Sequence, residues 1–144
     1  MKNILVTLDF ERNEHLLIDK AFQFAKPFDS KIWLMHIAAP EPDFVGYNDN
    51  PQFMRDSRAS ELTKEHKLLQ EYSNNLKKKG ASAEGLLIQG PTIEMIMEKA
   101  KKLNIDLIIA GHHERSFLYR AFIGSVSRKI VKKSKIPVLI VPLE

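Results

Sequence analysis

Five apolar runs punctuate the chain, at residues 4–8, 32–37, 83–88, 107–110 and 138–141. Three of them are near-continuous rather than alternating, which is how strands covered on both faces of a parallel sheet read. The third run alternates less clearly and is expected nearer an edge. Helical patterns fill the gaps. Leu17, Ala21, Phe24, Ala25 and Phe28 share one face after Asn13, a candidate N-cap. Leu62, Leu69, Tyr72 and Leu76 form a stripe on a long polar helix that Gly80 can close in the left-handed conformation. Ile93, Ile96, Met97, Ala100 and Leu103 give the cleanest helical spacing. Val126, Ile130 and Val131 mark a last helix, ended before Pro137. The predicted order is β-α-β-α-β-α-β-α-β. Right-handed crossovers then give an α/β fold: a doubly wound, five-stranded, mainly parallel sheet with helices on both faces. Residues 39–54, rich in Pro, Asp and Asn, form the one long irregular segment and read as a lid, a binding loop or a mobile segment.

Length and composition narrow this picture. A chain of 144 residues fits a single domain, 1–144, with a core that needs no staples. The absence of cysteine excludes disulfides, thiolate metal sites and a thiol nucleophile, and suits a reducing cytoplasm. The opening residues lack the features of a signal peptide, and no run approaches the roughly 18 apolar residues of a membrane span. The net charge of +4 is spread along the chain, and Lys77-Lys78-Lys79 stands at a predicted helix end, where cations offset the helix dipole. Neither a nucleic-acid nor a membrane partner is expected.

Ligands of doubly wound sheets bind beyond the carboxyl ends of the strands, where the winding reverses. The loops that meet there are Asp9-Phe10-Glu11, Ala38-Ala39, Gly90-Pro91-Thr92 and Gly111-His112-His113. Gly90 reads as a tight turn before Pro91, a favoured first helical residue. Gly124-Ser125 is expected to open the last helix, whose free N–H groups suit an anion, although Ser125 is also an ordinary N-cap. Asp9 has two readings, a ligand contact or a turn at the strand end. His112-His113 reads as a loop dyad rather than a metal site, since adjacent residues do not converge easily on one ion. His36 and Trp33 read as packed side chains.

Taken together these pieces resemble the universal stress protein family. Its marker is Gly, two residues, Gly, nine residues, then Gly-Ser or Gly-Thr, and Gly111 and Gly124-Ser125 stand at its first and last positions. The opening Lys2-Asn3-Ile4-Leu5-Val6 with Asp9, the strand ending His36-Ile37, Gly90-Pro91, the run from Asp106 to Gly111, and the closing run from Pro137 to Pro142 match in order along the whole chain. The resemblance implies the strand order 3-2-1-4-5 of a Rossmann-like, adenine nucleotide alpha hydrolase-like fold, and a ligand that is ATP or AMP, with or without Mg²⁺. It implies Asp9 at the ribose and phosphates or a metal, Ile37 at the adenine, and Ala110 at the base or sugar. It places Gly111, His113, Gly124, Ser125 and Val126 at the sugar and phosphates. The middle glycine of the marker is Glu114 here. Two like charges 4 Å apart repel by about 1 kcal/mol in water and about 4 kcal/mol at an effective dielectric of 20. A weakened phosphate site is therefore expected. Gly111-His112-His113 also resembles the branch of the family that does not bind ATP, which makes a dimeric interaction module the alternative function.

No P-loop, dinucleotide fingerprint or nucleophile elbow is present. Gln89 stands where a phosphoacceptor receiver domain needs an aspartate. No general base is evident, so slow ATP hydrolysis is the most that is expected. The apolar run at 138–141 would be an aggregation-prone edge if left open. The expectation is a homodimer that pairs this C-terminal strand with its copy.

Overall fold

The computed structural model describes residues 1–38, 52–112 and 120–143, with side chains of 52–58 and 120–126 excepted. The elements in order are β1 (Asn3–Leu8), α1 (Glu14–Ala25), a 3-10 turn (Lys26–Phe28), β2 (Lys31–Ala38), α2 (Gln52–Lys78), β3 (Ser82–Gln89), α3 (Thr92–Lys102), β4 (Leu107–His112), α4 (Arg120–Lys133) and β5 (Val138–Pro142). All four neighbouring strand pairs are parallel, in the order β3-β2-β1-β4-β5. The winding reverses between β1 and β4. Of the irregular segment expected over 39–54, residues 52–54 begin α2 and 39–51 lie outside the described residues.

Alternate side chains of the central strands feed two cores. On one face Ile4, Val6, Ile32 and Leu34 pack with Leu17, Ile18 and Ala21 of α1 and with Leu69 and Leu76 of α2. On the other, Leu5, Met35 and Ile108 pack with Ile93, Ile96 and Ala100 of α3 and with Ile130 of α4. Each large side chain buried in this way stabilises by about 1.5–3 kcal/mol relative to exposure. Trp33 is half-buried, with Lys31 Nζ 3.9 Å from its ring centre and its Nε1 donating to Asn3 Oδ1.

Several helix details differ from the sequence reading. Phe24 and Phe28 face outward, and Ile18 takes the inward place on α1. Beyond Ala25 the chain tightens into the 3-10 turn, and this rotates Phe28 away from the core. Val131 is exposed, so Ile130 alone of that adjacent pair anchors α4. Asn13 occupies the N-cap position of α1 but caps nothing. Its φ is +65°, and its amide instead donates to the Leu143 carbonyl at 2.6 Å. Gly80 closes α2 at φ +91°, as its spacing predicts. Gly90 makes the turn before α3 at φ +143°, and Pro91 is the N-cap rather than the first helical residue. Among the described residues no helix is long and apolar enough to cross a membrane.

Candidate functional site

A cavity of about 230 Å³ opens at the carboxyl ends of β1, β2 and β4, across the point where the winding reverses. Met35, Ile37, Ile96, Ala110 and Ile130 give it an apolar floor. Thr7, Asp9, His36, Thr92 and Ser127 supply polar groups. An apolar floor with a few convergent polar groups is the lining of a small-molecule site.

Asp9, Ile37, Ala110 and Gly111, four of the residues singled out from the sequence, all line this cavity. His113 and Glu114 lie outside the described residues. Gly124 and Ser125 do not stand at the helix mouth that the sequence predicts, while Val126 lies in the last helix as expected. The last helix begins at Arg120, so Gly124 is its fifth residue and the Gly-Ser pair lies inside it rather than at its mouth. In an α-helix only the first four N–H groups are free, and those belong here to residues 120–123.

Gly111 differs from expectation too. It is not a bend but the fifth residue of β4, paired with Val141 of β5. His112, expected with it in the loop, pairs with Pro142. What Gly111 supplies is room: a Cβ there would stand 2.5 Å from Leu143 Cδ1. Leu143 is buried and lines the cavity, with its N–H on the His112 carbonyl and its own carbonyl held by Asn13. Ser127, a residue the sequence reading passed over, donates its hydroxyl to the Gly111 carbonyl at 3.2 Å. The nearby Gly-Ser pair is the more conspicuous motif, and Ser127 carries no signal beyond its place one turn before the inward-facing Ile130.

The turn after β1 is the most heavily constrained part of the site. Asp9 Oδ1 accepts the N–H of Glu11, a local turn bond, and the carboxylate stays exposed at the cavity rim. Phe10 has φ +61°. An aromatic residue held in this left-handed region costs of order 1–3 kcal/mol. Glu14, the first residue of α1, is only 4% exposed and its Oε1 accepts the N–H groups of both Asp9 and Phe10 at 3.0 Å. Burial pushes its pKa up to about 7; the Phe10 hydrogen bond opposes this, and the charge of Asp9 adds to it. The Tyr72 phenol of α2 stands against the same carboxyl and is pushed up to about 12, chiefly by burial and then by the Glu14 charge. Glu14 Oε2 is buried with no partner at hydrogen-bonding geometry among the described residues.

His36 braces the same turn from β2. Its Nδ1 lies 2.8 Å from the Leu8 carbonyl, which can only accept, so Nδ1 carries the proton. Its ring lies against Phe10 with centroids 4.2 Å apart, and its Nε2 faces Glu65 Oε1 at 3.5 Å. No group of three His, Asp or Glu among the described residues is placed to hold a metal ion.

The sequence model of the Universal stress protein family matches residues 1–142. The chain belongs to the universal stress protein family. Universal stress protein A of Yersinia pestis is 31% identical over 144 residues, spanning 99% of this chain and 92% of that protein. Among solved structures, a universal stress protein in complex with cAMP matches with a TM-score of 0.73 at 21% identity, over 99% of this chain and 98% of that one. The universal stress protein of Archaeoglobus fulgidus in complex with dAMP matches with a TM-score of 0.64 at 17% identity, over 98% of both chains. Similarity at this identity is a similarity of fold: the parallel sheet in order 3-2-1-4-5 is that of the adenine nucleotide alpha hydrolase-like proteins.

Proposed function

We propose that this universal stress protein is a dimeric binder of adenine nucleotide, ATP or AMP, with a weakened phosphate site. The observation that carries the reading is the cavity at the winding reversal, where Asp9, Ile37, Ala110 and Gly111 meet around an apolar floor. Ile37 and Ala110 take the base, and Asp9 takes the ribose. Family members complexed with cAMP and dAMP support an adenine ligand. Gly111, His113, Gly124, Ser125 and Val126 form the phosphate side. That side is weak for two reasons: Glu114 replaces a glycine of the family marker, and the amides of Gly124 and Ser125 are committed within α4. Mg²⁺, when it participates, arrives with the phosphates; Asp9 is the one carboxylate among the described lining residues. Calorimetric titration with AMP and with ATP tests the reading. The wild type should bind, and Glu114→Gly should tighten ATP about tenfold, or about 1.4 kcal/mol. No heat from either protein rejects it.

A second reading, a dimeric interaction module without nucleotide, is favoured by one observation: the Leu143 side chain occupies the space beside Gly111. Mass spectrometry of the purified protein under native conditions separates the two, because a retained adenine nucleotide supports only the first. Under both readings the dimer forms through β5, an edge strand whose Val138, Leu139 and Ile140 remain half-buried in the single chain. Pairing with a second copy would cover them. Light scattering at micromolar concentration should give twice the chain mass, and a monomer mass rejects this assembly.

A further inference from the structure

Three elements converge on the short turn that follows β1. From α1, Glu14 Oε1 accepts both the Asp9 and Phe10 N–H groups. From β2, His36 bonds the Leu8 carbonyl and its ring packs tilted against Phe10. Behind these two stands α2, with Tyr72 against Glu14 and Glu65 facing His36. Residues 65 and 72 are seven apart, two turns of one helix, so a single face of α2 backs both supports.

This arrangement is costly, and cheaper ones exist. A glycine at position 10 would adopt φ +61° without strain. Backbone N–H groups at a turn can be left to water. Instead the chain places an aromatic residue in the left-handed region and buries a carboxylate to hold it, against the Tyr72 phenol and with one oxygen lacking a partner at hydrogen-bonding geometry among the described residues. The same feature recurs at Glu65, whose Oε2 is also buried without a hydrogen-bond partner among the described residues. Strain and unsatisfied polar groups persist where the surrounding structure over-determines them, and they concentrate at sites of function. What this turn presents is Asp9 at the cavity rim.

We infer that Glu14 is a positioning residue for ligand binding: its Oε1 fixes the Asp9–Phe10 turn, with His36 and the α2 face as the opposing jaw, so that the Asp9 carboxylate is presented to the cavity in one orientation. Glu14 need not touch the ligand. It acts through Asp9, and the inference rests on the nucleotide reading for its ligand half alone. The requirement is for an acceptor oxygen at Oε1. An amide in place of the carboxylate keeps that oxygen, and a methyl group does not.

The test uses the full chain and two readouts. Amide hydrogen exchange is followed at Asp9 and Phe10, with Val6 of β1 as an internal reference. AMP affinity is measured by calorimetry. In the wild type and in Glu14→Gln the Asp9 and Phe10 amides should be protected, and AMP should bind within about threefold of equally well. In Glu14→Ala the two amides should lose protection while Val6 keeps it, and AMP binding should weaken about tenfold or more. Adding Asp9→Asn to Glu14→Ala should cost little further, because the first change has already released Asp9. A Glu14→Ala protein with wild-type protection or wild-type affinity overturns the inference. So does a Glu14→Gln protein that behaves as Glu14→Ala does. Unprotected Asp9 and Phe10 amides in the wild type overturn it without any variant. A wild type that binds no AMP while those amides remain protected rejects the nucleotide reading and, with it, the ligand half of the inference; the clamp on the turn then stands on exchange alone.

Discussion

Two carboxylates, one at each end of β1, do the same geometric task under opposite conditions. At the amino end, Asp106 Oδ2 accepts the N–H groups of Lys2 and Asn3 at 2.7 and 3.0 Å. At the carboxyl end, Glu14 Oε1 accepts those of Asp9 and Phe10, both at 3.0 Å. Asp106 is exposed, and the two backbone bonds hold its pKa below the usual carboxylate range. Glu14 is buried, and desolvation outweighs similar bonds and lifts it to about 7. Equal hydrogen bonding therefore gives opposite proton affinities, and water decides which. The exposed carboxylate is a staple, favourable at every ordinary pH. The buried one is ionised only at a cost, which fits a part of the molecule where arrangement takes precedence over stability.

The largest effect expected from this contrast is on stability against pH. A carboxyl whose folded pKa is raised from 4.5 to about 7 holds its proton more tightly in the folded state. Its contribution is fully present below pH 4.5 and is lost as the pH rises through 7. The loss amounts to about 3 kcal/mol by pH 8. Glu14→Gln should remove that slope: denaturant midpoints at pH 5 should match the wild type, and at pH 8 the variant should be the more stable. Parallel pH profiles for the two proteins would show that burial does not set the proton affinity of Glu14.

A smaller effect probes how tightly the carboxyl end is packed. Gly111→Ala sets a methyl against the buried Leu143 side chain. Overpacking of this kind costs about 1–3 kcal/mol, visible as a lower melting temperature. The double variant with Leu143→Ala should recover part of the loss, and purely additive losses would mean the two residues do not meet. The smallest effect belongs to the amino end. Asp106→Asn exchanges an exposed, charge-assisted acceptor for a neutral one, and after solvent screening it should cost about 0.5 kcal/mol or less at pH 7. Because the folded pKa of Asp106 is lowered, that difference should vanish as acid takes the pH below the ordinary aspartate range. A loss as large as that from Gly111→Ala would erase the contrast between the two ends.

Most of the scaffold was legible because its signals are local. Near-continuous apolar runs such as that of β4 and the repeat of Ile93, Ile96 and Ala100 follow from one strand or one helix burying a face. Gly80 and Gly90 were legible because a left-handed backbone there leaves little choice of residue. The misreadings share a different cause, since each depended on a distant segment. Asn13 looks like a helix cap until Leu143, 130 positions later, takes its amide. Gly111 looks like a bend until β5 pairs with it and Leu143 claims its missing side chain. Phe28 is the local exception, taken off the helical face by the turn at Lys26–Phe28. Of the site, Asp9 could be placed from its strand end, and Ile37 and Ala110 through the resemblance to the family. Glu14 could not: an acid in the first turn of a helix is commonplace, and only its burial sets it apart.

The position of β1 has a consequence for how the chain matures. Of the five strands this one is made first, yet it lies in the middle of the sheet, between β2 and β4. Its partner on one side is joined to it by Asp106, 104 residues downstream of Lys2. A growing polypeptide can pair β1 with β2 early, but the other border of this apolar strand stays open until β4, Leu107–His112, has left the ribosome. Closure over that separation is slow, and an unpaired apolar border is adhesive in the meantime. Synthesis, rather than the finished molecule, is when this protein is most exposed to misassembly.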